Sequence, residues 1–138
     1  MLHLEFDVAG NNFSQAGMAS DQVKITLKKM GVASEDVRRV AIAMYEGEIN
    51  MVIHGGGGKA IVDIDVDHID IKLVDHGKGI ENIELAMTPG WSTAEEEVRS
   101  LGFGAGMGLP NMKKYADELN IESEVNVGTT VSMKVCFH

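Results

Sequence analysis

The stretch GFGAGMGLPNMKKYAD, residues 102–117, restricts this chain more than any other part of it. Glycine stands at 102, 104, 106 and 108, and Leu109-Pro110 then opens a helix with no spacer between. A flexible linker would run on into more linker, not into an apolar helix start. Glycine lets backbone N–H groups crowd toward a ligand, and a helix N-terminus adds unpaired donors and the positive end of the helix dipole. Gly104, Gly106 and Gly108 leading into Leu109 therefore read as a phosphate cradle. Spacing excludes two common cradles. A dinucleotide fingerprint needs glycine at its first, third and sixth positions, and the sixth from Gly104 is Leu109. A Walker A loop fails too, because Gly58-Lys59 is followed by Ala60 and the position five before Gly58 is Ile53.

The 138 residues are enough for one domain with one core. A composition that is 44% hydrophobic and 24% charged is that of a globular chain. No apolar run reaches the roughly 18 residues of a membrane span, and the acid-bearing start MLHLEFDVAG does not read as a signal peptide, so a cytoplasmic address is expected. Twenty-one acidic residues against 12 basic give a net charge of −9, which works against nucleic acid and favours basic proteins or a metal-nucleotide as partners. The single cysteine, Cys136, allows no internal disulfide and reads as a small buried hydrophobe in a terminal strand. His3, His54, His68, His76 and His138 share no metal-ligand spacing, and the nine methionines, Met44, Met51 and Met112 among them, read as core filling.

Leu2, Leu4, Phe6 and Val8 alternate as in a half-buried strand that stops at Gly10-Asn11-Asn12. Val23, Ile25, Leu27 and Met30 predict a helix over 14–30, stopped by Gly31. Ser34 with Glu35 and Asp36 reads as the start of a second helix, whose stripe Val37, Val40, Ala41, Met44, Met51 and Val52 reaches Ile53. Residues 59–74 predict a hairpin on Ala60, Val62, Ile64 and Val66 against Ile69, Ile71 and Leu73, broken at Asp67-His68. A weak helix at 81–86 and a patternless 88–100 read as a mobile excursion. A helix over 109–119 follows, then a hairpin pairing Ile121, Ser123, Val125 and Val127 with Val131, Met133, Val135 and Phe137 and turning at Gly128. This order predicts an α+β two-layer sandwich, with helices on one face of a mixed, mostly antiparallel sheet.

Three further signals carry chemistry. Glu46 and Asn50 lie four apart, on one helix face and about one turn from each other. A carboxamide oxygen suits Mg²⁺, and a neighbouring carboxylate can orient or deprotonate an attacking hydroxyl, although E-x-x-x-N also occurs on ordinary solvated faces. Asp75-His76-Gly77-Lys78-Gly79 ends a buried strand. It is either a plain Asp-Gly turn or a carboxylate that accepts an adenine amino hydrogen while the ring passes over bare backbone. Gly128-Thr129-Thr130 is either a hairpin turn or a hydroxyl that braces the Asp75 contact.

In this order the four signals resemble the GHKL ATP-binding superfamily: Glu46 to Asn50 its N box, Asp75 to Gly79 its D-x-G-x-G box, Gly104 to Leu109 its G-x-G-x-G-L box, and Gly128 to Thr130 its terminal G-T-T. Within it the whole chain resembles the anti-sigma regulatory factors that are also protein serine/threonine kinases. The resemblance implies a Bergerat-type sandwich over residues 1–138 with an ATP lid at about 86–108, binding ATP and Mg²⁺. It implies Glu46 as general base, Asn50 on the metal, Asp75, Gly77 and Gly79 at the base, and Gly104, Ala105, Gly106, Met107, Gly108 and Leu109 at the phosphates, with Thr130 also at the nucleotide. The implied partners are a sigma factor and a small antagonist protein, which the kinase would phosphorylate, and an apolar face on the first strand and helix would suit a homodimer. Lys78, Arg99 and Lys113 are the candidates for the γ-phosphate. Other readings are a nucleotide-gated protein-binding module without efficient transfer and a detached histidine-kinase catalytic domain. The chain departs from the family in Gly47-Glu48-Ile49, where Glu48 reads as facing water, and in Phe103 and Thr88-Pro89-Gly90-Trp91, where Trp91 reads as a lid or interface anchor.

Overall fold

A computed structural model of the chain describes residues 2–10, 16–53, 56–77, 79 and 108–138. The alternating stretches become five strands: β1 Leu2–Ala9, β2 Gly57–Ile64, β3 His68–Asp75, β4 Glu118–Glu124 and β5 Gly128–Cys136. They form one sheet in the order β1-β2-β3-β5-β4, and every neighbouring pair is antiparallel. Register carries the apolar positions across the sheet in rows. Phe6, Ala60, Leu73, Val131 and Ile121 form one row, and Leu4, Val62, Ile71, Met133 and Leu119 the next. Because side chains alternate between faces, these rows line one face, while Glu5, Lys72, Ser132 and Asn120 fall on the other.

The helices α1 Met18–Lys29, α2 Ser34–Ile53 and α3 Gly108–Tyr115 supply the second layer. Val23 and Leu27 of α1, Val37, Val40, Met44 and Met51 of α2 and Met112 of α3 are buried in one cluster with the inner rows of the sheet. Of the nine methionines read as core filling, Met44, Met51, Met112 and Met133 are buried, whereas Met18 and Met30 are exposed, and Met1, Met87 and Met107 lie outside the described residues. Burial of this apolar surface, at about 25 cal/mol per Å², is the main favourable contribution to folding.

The structure departs from the sequence reading at several element ends. Helix α1 begins at Met18 rather than 14, and Ile25 and Met30, expected on its apolar face, are exposed. Val66 lies in the β2–β3 turn at 91% exposure, outside the hairpin's buried face. The helix expected over 109–119 stops at Tyr115, because the Asp117 amide donates to the Lys134 carbonyl and the chain joins the sheet, setting Leu119 opposite Met133. Leu119 fits a helical and a strand period equally, so the pattern alone could not place the boundary. The last hairpin turns at 125–127, with Asn126 at φ 66°, and Gly128 is already the first residue of β5. Val125 and Val127 are therefore exposed turn residues and not strand core. Cys136 is only partly buried, because it shares the outer face of β5 with Lys134. The segment 80–107, with the expected weak helix, lid and Trp91, lies outside the described residues.

A polar clasp closes the C-terminal end. Asp117 Oδ2 accepts from the Cys136 amide at 2.7 Å and from Arg39 at 2.9 Å, and the buried Asp36 accepts from Arg39 and from the His138 amide. The Cys136 amide, and then Arg39, hold the Asp117 carboxyl below its ordinary range despite opposition from burial. Burial works against the Arg39 charge, but Asp117 and Asp36 more than offset it and raise the guanidinium further.

Candidate functional site

The apolar rows end in a polar one. Continuing the register past Ala60, Leu73, Val131 and Ile121, the same face carries Gly58, Asp75, Thr129 and Ser123. Asp75 is the last residue of β3, and its Oδ1 accepts from the Gly77 amide and from the Thr129 amide, both at 3.1 Å. The Ser123 and Thr129 hydroxyls lie 2.8 Å apart behind it. Oδ1 is thus committed to the backbone, and Oδ2 has no protein partner among the described residues. A carboxylate fixed at one oxygen and spare at the other is an oriented acceptor.

Gly79 follows with φ +79°, and a Cβ built there would collide with the Glu124 carbonyl and the Val125 Cα at the tip of the β4–β5 hairpin. Only glycine satisfies both demands, so this part of the D-x-G-x-G-like segment is fixed by backbone geometry. Thr130, expected at the nucleotide, pairs with Val74 and falls on the opposite face of the sheet from Asp75. The residue beside Asp75 is Thr129. Sequence could have found it, since Thr129 shares the parity of Val131, Met133 and Val135.

Helix α2 delivers the other carboxylate. Gly47 meets β3 where a side chain would not fit: its Cβ would overlap Leu73 Cδ1 and lie 3.2 Å from Met112 Sδ. Leu73 is two residues before Asp75 on the same face, so the 46–50 segment sits over the end of β3 that carries Asp75. Glu46 and Asn50 are both partly buried there. Asn111 Nδ2 donates to Glu46 Oε1 at 3.4 Å, and Asn50 has no side-chain partner among the described residues. Asn111 escaped the sequence reading, and its signal was a carboxamide in the first turn of the helix that follows the glycines. Beside Glu46, partial burial and then the carboxylates of Glu46, Glu48 and Asp21 push the Tyr45 phenol above its ordinary value.

Glu48 does not face water. It is 2% exposed, and its carboxylate accepts from the amides of Gly17 and Ala19 at 2.9 and 3.2 Å through Oε2 and of Ser20 at 3.0 Å through Oε1. These are orphan donors of the α1 N-terminus, whose N-cap, Gly17, has no side chain to satisfy them. The sequence signal was present: Met44, Glu48, Met51 and Val52 stand at i, i+4, i+7 and i+8, which places the acid inside the apolar stripe.

Of the expected phosphate residues, Gly108 is the first residue of α3 and Leu109 the second. Gly104, Ala105, Gly106 and Met107, together with Lys78 and Arg99, lie outside the described residues. Lys113 is exposed on α3 and has no ion-pair partner among the described residues.

A two-layer sandwich whose sheet ends in a backbone-locked aspartate, overlain by a helix bearing Glu and Asn one turn apart, defines a class. The chain belongs to the histidine kinase-like ATPase domain family, whose sequence profile matches residues 13–135. Within that nucleotide-binding class it is similar to anti-sigma F factors. It is 32% identical to the anti-sigma F factor of Anoxybacillus flavithermus over 96% of this chain and 89% of that one. It is 39% identical to the anti-sigma F factor of a Thermoanaerobacter species over 72% of this chain and 69% of that one. The fold matches the crystal structure of the RsbU and RsbW domains of Rv1364c from Mycobacterium tuberculosis with a TM-score of 0.68 at 15% identity, covering 99% of this chain and 33% of that one.

Proposed function

We propose that this chain is an ATP-binding anti-sigma regulatory factor that acts as a protein serine/threonine kinase on a small antagonist protein. The observation that carries the reading is the divided carboxylate of Asp75, with one oxygen held by the Gly77 and Thr129 amides and the other left as an acceptor. Such an acceptor suits the amino hydrogen of adenine. Similarity to the anti-sigma F factors supports a sigma factor as the second partner.

The residues fit Mg-ATP. Asp75, Gly77 and Gly79 would hold the base, Asn50 the Mg²⁺, and the glycine-rich stretch with the α3 N-terminus the phosphates. Bound Mg-ATP supplies an activated phosphoryl group whose charge the metal and the surrounding donors offset. The chain's own work is positioning and proton transfer. As the substrate hydroxyl oxygen bonds to phosphorus and the bond to the ADP oxygen breaks, the hydroxyl proton passes to Glu46, which later returns it to water.

Labelled ATP incubated with the full chain and candidate antagonist proteins tests this. The expected product is acid-stable phosphoserine or phosphothreonine, reduced at least about 100-fold in Glu46→Gln while Mg-ATP affinity survives. Acid-labile phosphohistidine would instead assign a detached histidine-kinase catalytic domain, and binding without transfer would assign a nucleotide-gated binding module.

A further inference from the structure

Glu46 has one hydrogen-bond partner among the described residues, the carboxamide of Asn111. Asn111 stands in the first turn of α3, which begins at Gly108 immediately after the glycine-rich stretch. The neighbouring residue on each helix repeats the contact. Gly47 meets Met112, which is fully buried, so closely that a Cβ at 47 would press on its sulfur and on Leu73. Segments 46–47 of α2 and 111–112 of α3 are therefore seated on one another, and the position of Glu46 is set from the helix that leads out of the glycines.

We infer that Asn111 is a positioning residue for the Glu46 carboxylate, an inference that rests on the proposed role of Glu46 as base. The chemistry of the donor fits that task. A neutral amide N–H₂ orients a carboxylate through one oxygen and leaves the other for the acceptor hydroxyl, whereas lysine or arginine would pair with the charge and weaken the base. At 3.4 Å the bond is long, as hydrogen bonds of catalytic groups are before a substrate tightens them. The same helix would then present its N-terminus to the phosphates and its first-turn carboxamide to the base, giving both reacting ends a common frame.

The test uses the full chain with Mg-ATP. Turnover to ADP is measured with water and with candidate antagonist proteins as acceptors, and affinity is measured by calorimetry. Asn111→Asp keeps the shape, removes the donor and sets a second carboxylate against Glu46, so turnover falls at least about tenfold while affinity stays within about twofold. Asn111→Gln, which keeps the donor on a longer arm, recovers part of the loss. In a Glu46→Gln background Asn111→Asp costs nothing further, because groups that act as one unit are not additive. If Asn111→Asp is unstable, Asn111→Ala, which also lacks the donor, is judged by the same criteria.

Turnover by the donor-less variant within about twofold of the unsubstituted chain overturns the inference. So does an equal loss in the Glu46→Gln background, and so does a fall confined to affinity. An unsubstituted chain that binds Mg-ATP and transfers to neither acceptor overturns the kinase reading itself. That outcome is distinct, since a failure at Asn111 alone leaves the unsubstituted chain active.

Discussion

The two sides of α2 use the same side chain for opposite ends. Glu46 and Glu48 are separated by one glycine, yet Glu48 is 2% exposed with three backbone amides on its carboxylate, while Glu46 is partly exposed with one long side-chain contact among the described residues. Toward α1 the helix meets a bundle of orphan donors, and a buried carboxylate there is fully satisfied. Toward β3 it packs on Leu73, two residues before Asp75, and among the described residues only one oxygen of its acid has a partner. Burial of a charge is thus a structural device on one side, and incomplete satisfaction of a charge is what the proposed base would use on the other.

The largest effect should come from the α1 side. Glu48→Ala strands three amides and is expected to cost about 2–4 kcal/mol in urea denaturation, against no more than about 0.5 kcal/mol for Glu46→Ala. Equal losses at the two positions would break the comparison. Gly47→Ala comes next: the added methyl presses on Leu73 and Met112, and a loss of about 1–3 kcal/mol is expected together with reduced turnover. Wild-type stability in that variant would mean that α2 does not sit against β3 as described.

The smallest effect concerns a third carboxylate. Asp117 has a folded-state pKa below its unfolded value, so its contribution is present above about pH 4 and disappears as pH falls through the lowered folded value. Asp117 is about one-third exposed, so the effect should be modest. Asp117→Asn should flatten the acid limb of a stability-versus-pH curve and leave its neutral and alkaline parts parallel to the original. An unchanged acid limb would remove Asp117 from the clasp.

The strands and the long helix could be read from the sequence because their apolar positions repeat at the right period: Leu2 to Val8, Ile69 to Leu73 and the α2 stripe lie in the expected elements, although Leu2 is exposed and Ala41 only partly buried. Segments with a poor or double period were misread. Leu119 fits helix and strand alike, and Val125 and Val127 look like strand although a left-handed Asn126 turns the chain between them. Within the candidate site, Glu46, Asn50 and Asp75 stand out in the sequence as motif residues, since a strand-end Asp-x-Gly and an i, i+4 pair are local patterns. Glu48, Thr129 and Asn111 act through partners 28 to 31, 54 and 65 residues away, and a single sequence does not state such pairings. Even so, the parity of Thr129 and the place of Glu48 in an apolar stripe were clues to which way each side chain points.

The central claim is that Asp75 receives the base of an adenine nucleotide, and one calorimetric titration tests it most directly. Asp75→Asn preserves the acceptor for the Gly77 and Thr129 amides but puts an N–H₂ donor where Oδ2 stood, so a donor on the base would face a donor on the protein. The unsubstituted chain should bind Mg-ADP with measurable heat, and Asp75→Asn should weaken that binding by about 100-fold or more with the fold intact. Equal affinity in the two proteins, or no binding by either, would contradict the account.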